Sequence, residues 1–377
     1  MRATEREARI RAMASRSTYR GGLQACVSSG HLTVGVQARS AEASAHIDEA
    51  LLVAVHGYVY RPGVGAGGAE QSPAALLAER WSARGVDALG EIDGEFSAVI
   101  QDRQRGIAWL CNSLSGTRPI YWCSAPDLLI GASEIRQVAV GARLPLRLEP
   151  AGLVELLSFH GVRVDRERTE FRGVDRLAAP GVYRIDPLKR RLRPDGQYWA
   201  PPPTERLKRA DRAGLPERTA HTLTQALASI PDGGKFALSG GYDSGLLWIL
   251  ANRCLPERPP PEAYALIFPG LAADERPTIR GLLRQTDSSA HFLPADPVQP
   301  SETIDDAVHP VDRLLAAPTF TKPDELARAT AAGGGAGIIN GLGADVSLEA
   351  TETYAADLLR RGRWHQLLLD APRFRPY

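Results

Sequence analysis

With 377 residues the chain is long enough for two domains, each able to bury its own core. Its 45 basic and 44 acidic side chains nearly cancel, which excludes charge-driven capture of nucleic acid or of an anionic membrane surface. No apolar run is long enough to span a bilayer, the N-terminal stretch lacks the apolar core of a signal peptide, and Cys26, Cys111, Cys123 and Cys254 lack CxxC spacing; reduced thiols and a cytoplasmic location are expected.

In chain order, residues 1–20 read as an Arg- and Ala-rich extension, loose or helical. Short strands then follow one another: Leu32–Val36, Leu51–Tyr60, Phe96–Gln101, Ile107–Cys111, Pro119–Cys123 and Leu128–Ala132. A helix over Pro73–Ala83 interrupts them, with Pro73 in its first turn after Ser72. Strands so closely spaced imply antiparallel pairing. Leu153–Phe159 reads as a helix and Gly181–Ile185 as a strand. The proline-rich stretch Trp199–Arg206 reads as a linker, which gives a first domain over 21–200 and a second over 210–377.

The second half changes rhythm. Leu223, Leu227 and Ile230 share one helical face, followed by a strand (Phe236–Leu238), a helix (Ser244–Ala251) and a strand (Tyr264–Phe268). A helix through Ile279, Leu282 and Leu283 and a strand over Ala290–Leu293 come next. A last helix, Asp324–Ala332, ends at three glycines and feeds a strand over Ala336–Asn340. Such alternation builds a parallel sheet covered on both faces, with ligands beyond the carboxyl ends of its strands. The loops after Leu238, Phe268 and Asn340 therefore open on one edge.

The first of these loops, Ser239-Gly240-Gly241-Tyr242-Asp243-Ser244, carries the strongest chemical signal. It fits neither the Walker pattern nor the dinucleotide fingerprint. Paired glycines turn the backbone sharply and leave amide hydrogens uncovered, while Asp243 and Ser244 fall where N-capping side chains belong. The amides, the hydroxyls of Ser239 and Ser244 and the positive end of the helix dipole converge where a phosphate would be held. Asp243 beside it suits a divalent cation bridging carboxylate and phosphate. A plain capped strand-to-helix turn is the alternative.

This hexad resembles the pyrophosphate loop of the ATP pyrophosphatase superfamily, in which a substrate carboxylate is adenylated. From about Leu51 onward the order of parts is similar to that of asparagine synthetase B and its relatives, the β-lactam synthetases and lasso peptide cyclases. His56-Gly-Tyr-Val-Tyr60 stands where that family has Asn-Gly-Glu-Ile-Tyr. Asp93-Gly-Glu-Phe96, Gly116-Thr-Arg-Pro-Ile-Tyr121, Ala132-Ser-Glu-Ile135 and Tyr198-Trp199 look like its later landmarks. The resemblance implies an α/β + α+β chain. An N-terminal Ntn-type αββα sandwich, glutaminase-like, would precede a parallel-sheet α/β ATP pyrophosphatase (adenine nucleotide alpha hydrolase-like) domain that is C-terminally short.

Glutaminase chemistry needs a cysteine at the mature N-terminus, thiol beside α-amine. Here Arg2 follows Met1, His56 and Tyr58 replace the family's glutamine-holding Asn and Glu, and Gly67–Ser72 offers no counterpart of its Gly-Ser-Asp-x-Glu. An inactive front domain is expected, with an amine already on the substrate in place of ammonia; processing that exposes Cys26 is the alternative.

Gly341-Leu-Gly-Ala-Asp345 matches the family's second loop, although Val346 stands where Glu is usual. The resemblance thus implies ATP and Mg²⁺ as cofactors, with Asp243 and Asp345 as the catalytic, metal-holding acids. Ser239, Gly240, Gly241, Ser244, Gly341 and Gly343 would bind the nucleotide. Leu238 and Leu266 would line the adenine, or serve the core alone. Phe268–Glu275 and Ala356–Trp364 are closer to lasso peptide cyclases than to asparagine synthetase. The implied reaction is adenylation of a peptide or amino-acid carboxylate with pyrophosphate release, then amine capture to a macrolactam. A precursor peptide and a leader-peptide protease would be its partners, with no nucleic acid and no membrane. Asparagine synthesis from glutamine or ammonia, and a non-catalytic ATP-binding remnant or scaffold, are the alternatives. The family also has a later helical segment whose lysine stabilises charge in amide formation. No lysine follows Lys322 and the sequence stops at Tyr377, as expected of a truncated or split enzyme or of an impaired second half-reaction.

Overall fold

A computed structural model of the chain describes residues 2–18, 21–38, 43–60, 71–158, 165–200, 214–230, 233–255, 260–295, 321–335, 337–344 and 354–370. The architecture is mixed α/β, with antiparallel sheets in the first part and a four-stranded parallel sheet in the second. Two compact units divide it, Met1–Asp232 with Asp296–Arg328, and Gly233–Ala295 with Ala329–Tyr377. Residues 201–206 of the proline-rich stretch read as a linker lie outside the described residues.

The first unit runs α1 (Ala3–Ala14), β1 (Leu23–Ser29), β2 (Leu32–Gln37), β3 (Ala43–Ile47), β4 (Leu51–Tyr60), α2 (Pro73–Arg84) and a 3-10 segment (Gly85–Glu91). It continues with β5 (Asp93–Asp102), β6 (Ile107–Asn112), β7 (Tyr121–Ser124), β8 (Leu129–Ala132), α3 (Ile135–Ala142) and α4 (Pro150–Ser158). Then come β9 (Asp175–Arg176), β10 (Gly181–Asp186), β11 (Arg191–Pro194) and α5 (Leu215–Ser229). Six strands pair antiparallel in the order β11-β10-β6-β5-β4-β3, and two smaller sheets, β1-β2 and β8-β7-β9, stand apart from it.

Period-two alternation assigns the faces of the large sheet. Val53, Val55 and Val59 of β4, with Phe96, Ala98 and Ile100 of β5, bury against Leu76, Leu77 and Trp81 of α2. The Oγ of Ser72 accepts the Ala75 N–H at 3.3 Å and so caps α2, as its position before Pro73 predicts. On the opposite face Ala54 packs with Val36 and Ala43, and Leu110 with Ile120 and Leu177. α1 and α3 cover the smaller sheets, Met13 meeting Ile130, Ile135 and Val138.

The N-terminal stretch is therefore no appendage. α1 seats Met13 in a core, and the Gln37 side-chain amide donates to the carbonyls of Ala14, Ser17 and Gly21 at 3.0, 3.0 and 2.7 Å, tying down the chain that follows.

The second unit runs β12 (Gly234–Ala237), α6 (Tyr242–Cys254), β13 (Ala263–Ile267), α7 (Arg276–Gln285), β14 (Ala290–Pro294), the end of α8 (Thr321–Ala332), β15 (Gly337–Ile339), α9 (Tyr354–Arg360) and α10 (Trp364–Asp370). All strand pairs are parallel, in the order β14-β13-β12-β15. Trp248 of α6 is fully buried, meets Phe236 edge-on at 5.4 Å and donates its indole N–H to the Thr286 hydroxyl at 3.0 Å. Among the described residues no helix is long and apolar enough to cross a membrane.

Candidate functional site

The parallel sheet fixes where its loops meet. From β12 the chain winds outward through β13 to β14 and then returns to β15 on the other side of β12. The strand order thus reverses between β12 and β15, and in open parallel sheets that reversal opens a crevice beyond the carboxyl ends of the strands. The 238–241 turn and the 340–344 turn both leave from that point.

Leu238 continues the ladder, its N–H donating to the Tyr264 carbonyl at 2.9 Å, and its side chain is buried in the core. The backbone then turns through Ser239 and Gly240 to Gly241, which occupies the N-cap position of α6 with an extended backbone and no side-chain cap. Helix α6 accordingly begins two residues earlier than its apolar spacing suggests. Asp243 and Ser244 sit inside the first turn, not at the cap. Ser244 is buried and reaches back across the turn: its Oγ accepts the Ser239 N–H at 3.1 Å and lies 2.8 Å from the Ser239 Oγ. The Ser239 Oγ in turn accepts the Gly241 N–H at 3.2 Å. The serines thus hold the turn's shape from within. Asp243 is half-buried in the first turn, where an acid also complements the helix dipole.

Both glycine amides are already bonded, contrary to the expectation that paired glycines leave them uncovered. The Gly240 N–H donates to Glu275 Oε2 at 3.0 Å, and the Glu275 side chain packs so tightly that a Cβ on Gly240 would come within 2.9 Å of it. Glu275, at the N-cap of α7, is the site residue that sequence reasoning passed over. A carboxylate already stands on the turn's amide, where a phosphate oxygen would accept the same hydrogen. Its neighbours are paired with each other: the guanidinium of Arg276 binds Asp274 and holds that carboxyl below its ordinary range.

Gly341 follows β15 and lies directly on the turn. A Cβ there would stand 2.7 Å from the Asp243 Cβ and 2.8 Å from the Ser244 nitrogen, so only glycine lets the second loop approach this closely. Gly343 has a φ of +90° with open space about it, and Leu342 between them is exposed. Leu266 is half-buried in β13. Asp345 and Val346 lie outside the described residues. Among those described, no group of three or more His, Cys, Asp or Glu side chains is placed to hold a metal ion.

In the first unit, the β4 residues His56 and Tyr58 pair across the ladder with Ser97 and Glu95 of β5. Glu95 accepts the Ser113 hydroxyl at 3.2 Å and those of Ser115 and Thr117, and the Arg118 guanidinium lies 5.9 Å from the Tyr58 ring centroid. Cys26 sits in mid-strand opposite Gly35, and burial pushes its thiol up, with Glu7 acting in the same direction. A thiol so placed is less nucleophilic at neutral pH.

No protein-family model matches the sequence, and a search of curated proteins finds no match either.

Proposed function

We propose that the chain is an ATP-dependent amide-forming ligase of the asparagine synthetase-like class, nearest in kind to the lasso peptide cyclases. Its second unit would be an ATP pyrophosphatase-type domain, its first an Ntn-type sandwich that does not hydrolyse glutamine. The observation that carries this reading is the contact of Gly341 with Asp243 and Ser244, which brings the two motif loops together where the strand order reverses.

The Ser239–Ser244 turn would hold the triphosphate. Its charge is offset by the amino end of α6, and the Gly240 N–H passes from the Glu275 carboxylate to a phosphate oxygen. Asp243, in the first turn of α6, is the residue that would hold a Mg²⁺ ion beside the phosphates. Bound there, the ion supplies neutralisation of the departing pyrophosphate. A substrate carboxylate attacks the α-phosphorus, the bond to the bridging oxygen breaks and pyrophosphate leaves. An amine then attacks the acyl-adenylate and AMP leaves. In a lasso-type reaction the amine is the N-terminus of a precursor peptide, the carboxylate an Asp or Glu side chain of the same peptide, and the product a macrolactam. His56 and Tyr58 in place of a glutamine-holding pair, and a mid-strand Cys26 whose thiol is pushed up, support the non-hydrolytic first unit.

Pyrophosphate release under saturating Mg-ATP tests this reading. Peptides with a free N-terminus and an internal Asp or Glu should provoke release, and Asp243→Ala should lower it by about 100-fold or more. Release with aspartate and ammonia instead would assign an asparagine synthetase. Bound Mg-ATP without release for any carboxylate would assign a binding protein.

A further inference from the structure

The turn between β12 and α6 already has an anion on it. The Gly241 N–H is satisfied within the turn, by the Ser239 hydroxyl at 3.2 Å. The Gly240 N–H is satisfied from another element, donating at 3.0 Å to Oε2 of Glu275 at the start of α7. The rest of that side chain lies along the glycine. A Cβ built on Gly240 would stand 2.9, 3.3 and 3.2 Å from the Cβ, Cγ and Cδ of Glu275, so glycine here leaves the lane that the side chain occupies.

This carboxylate does not serve its own helix. Glu275 holds the N-cap position of α7 yet makes no side-chain cap bond there. Its charge instead meets the amino end of α6, whose own N-cap residue, Gly241, has no side chain to offer and where an anion is favoured. The adjacent guanidinium is committed elsewhere: Nε of Arg276 donates to the two oxygens of Asp274 at 3.0 and 2.7 Å. Glu275 is also exposed, so its head can turn into water without disturbing the core.

An N–H held by a carboxylate at 3.0 Å cannot serve a phosphate oxygen at the same time, because the two anions would meet at hydrogen-bond distance. Binding therefore draws on the fraction of chains whose carboxylate has swung away, and the apparent affinity falls by that fraction. The factor belongs to the turn. It is the same for every ligand whose phosphate takes the Gly240 amide.

We propose that Glu275 is an internal competitor for the phosphate-binding turn, closing the Gly240 amide in the empty chain and weakening each phosphate ligand by a common factor. The inference rests on the nucleotide reading of this turn. In that reaction the carboxylate hinders entry of ATP and, to the same degree, disfavours retention of the pyrophosphate that leaves.

Calorimetric titration of the full chain tests this, with inorganic pyrophosphate and a non-hydrolysable ATP analogue as probes, each with and without Mg²⁺. Glu275→Ala should bind both probes about tenfold more tightly than the parent, by the same factor whether or not Mg²⁺ is present. Glu275→Gln keeps the side chain's size and an accepting oxygen without the charge, and should tighten binding by a smaller factor. The sign is decisive. A residue that merely shaped the turn would weaken binding when removed, and a metal ligand would weaken it only with Mg²⁺. Amide exchange at Gly240 reads the contact without any ligand: it should quicken by about tenfold in Glu275→Ala and slow again when pyrophosphate binds. Binding that is unchanged or weaker in both variants, or Gly240 exchange no faster in Glu275→Ala, would overturn the proposal and leave the nucleotide reading in place. No binding of either probe by the parent or the variants would overturn both.

Discussion

Gly341 and Asp243 lie in backbone-to-backbone contact, close enough that any side chain on the glycine would enter the first turn of α6. Gly341→Ala would place a methyl 2.7 Å from the Asp243 Cβ and 2.8 Å from the Ser244 amide nitrogen, and neither atom is the free end of a flexible side chain. The two loops must part. The predicted loss is about 1–3 kcal/mol of unfolding free energy, with a larger proportional loss of Mg-ATP affinity. Urea denaturation beside nucleotide titration separates the two effects. Unchanged stability would place the loops farther apart in solution.

Ser244→Ala tests how the turn is held. The Ser244 Oγ accepts the Ser239 N–H at 3.1 Å from a buried position, so the alanine variant strands that amide. The expected penalty is about 1–3 kcal/mol. Ser244→Thr keeps the oxygen and should recover part of it, as chemical denaturation of the pair would reveal.

Asp175 gives the first unit a pH dependence of definite sign. Burial raises its carboxyl first, the nearby Glu167 and Asp165 charges raise it further, and Arg168 opposes them. The folded state therefore holds this proton more tightly than the unfolded chain. The associated stability is fullest in acid, below the ordinary carboxylate range, and is lost as pH rises through the raised folded value. Asp175→Asn removes the ionisation, so it should be more stable than the parent at neutral pH. The gap should close in acid, and a gap that instead widens there would reverse the assignment.

Thiol reactivity follows burial. Cys254 is exposed, Cys26 half-buried, and Cys111 and Cys123 buried, with Cys111 pushed up to about 12 by burial alone. An aromatic disulfide reagent at neutral pH should label Cys254 first and Cys26 slowly. Cys111 should react only on unfolding. Peptide mass mapping reads the order, and labelling of Cys111 in the native chain would contradict it.

Long apolar runs made much of this fold legible in the sequence. β4, β5 and β6 stand out because the six-stranded sheet is packed on both faces, and the alternation after Leu223 specifies a parallel sheet. β1 and β3 carry Gln, Ser and His among their apolar residues and stay half-exposed at many positions, so they carry little signal. α3 ends in a left-handed Arg143 with a φ of 55° where glycine would have marked the stop. In the site, the hexad stands out as a local motif after a strand, and Gly341 because the close approach of its loop to Asp243 and Ser244 leaves no room for a side chain. Glu275 does not: a carboxylate that reaches an amide 35 positions earlier depends on the placement of α7 against the turn, which no local pattern encodes.

Calorimetric titration of the chain with a non-hydrolysable ATP analogue, with and without Mg²⁺, bears most directly on the central claim. The account predicts that Mg²⁺ tightens binding by about tenfold or more, because Asp243 repels a bare triphosphate and attracts one bridged by a cation. In Asp243→Asn that dependence should largely vanish, while exchange at 239–244 still slows when the analogue binds. An affinity that Mg²⁺ leaves unchanged in the parent chain, or a metal dependence that survives in Asp243→Asn, would contradict it.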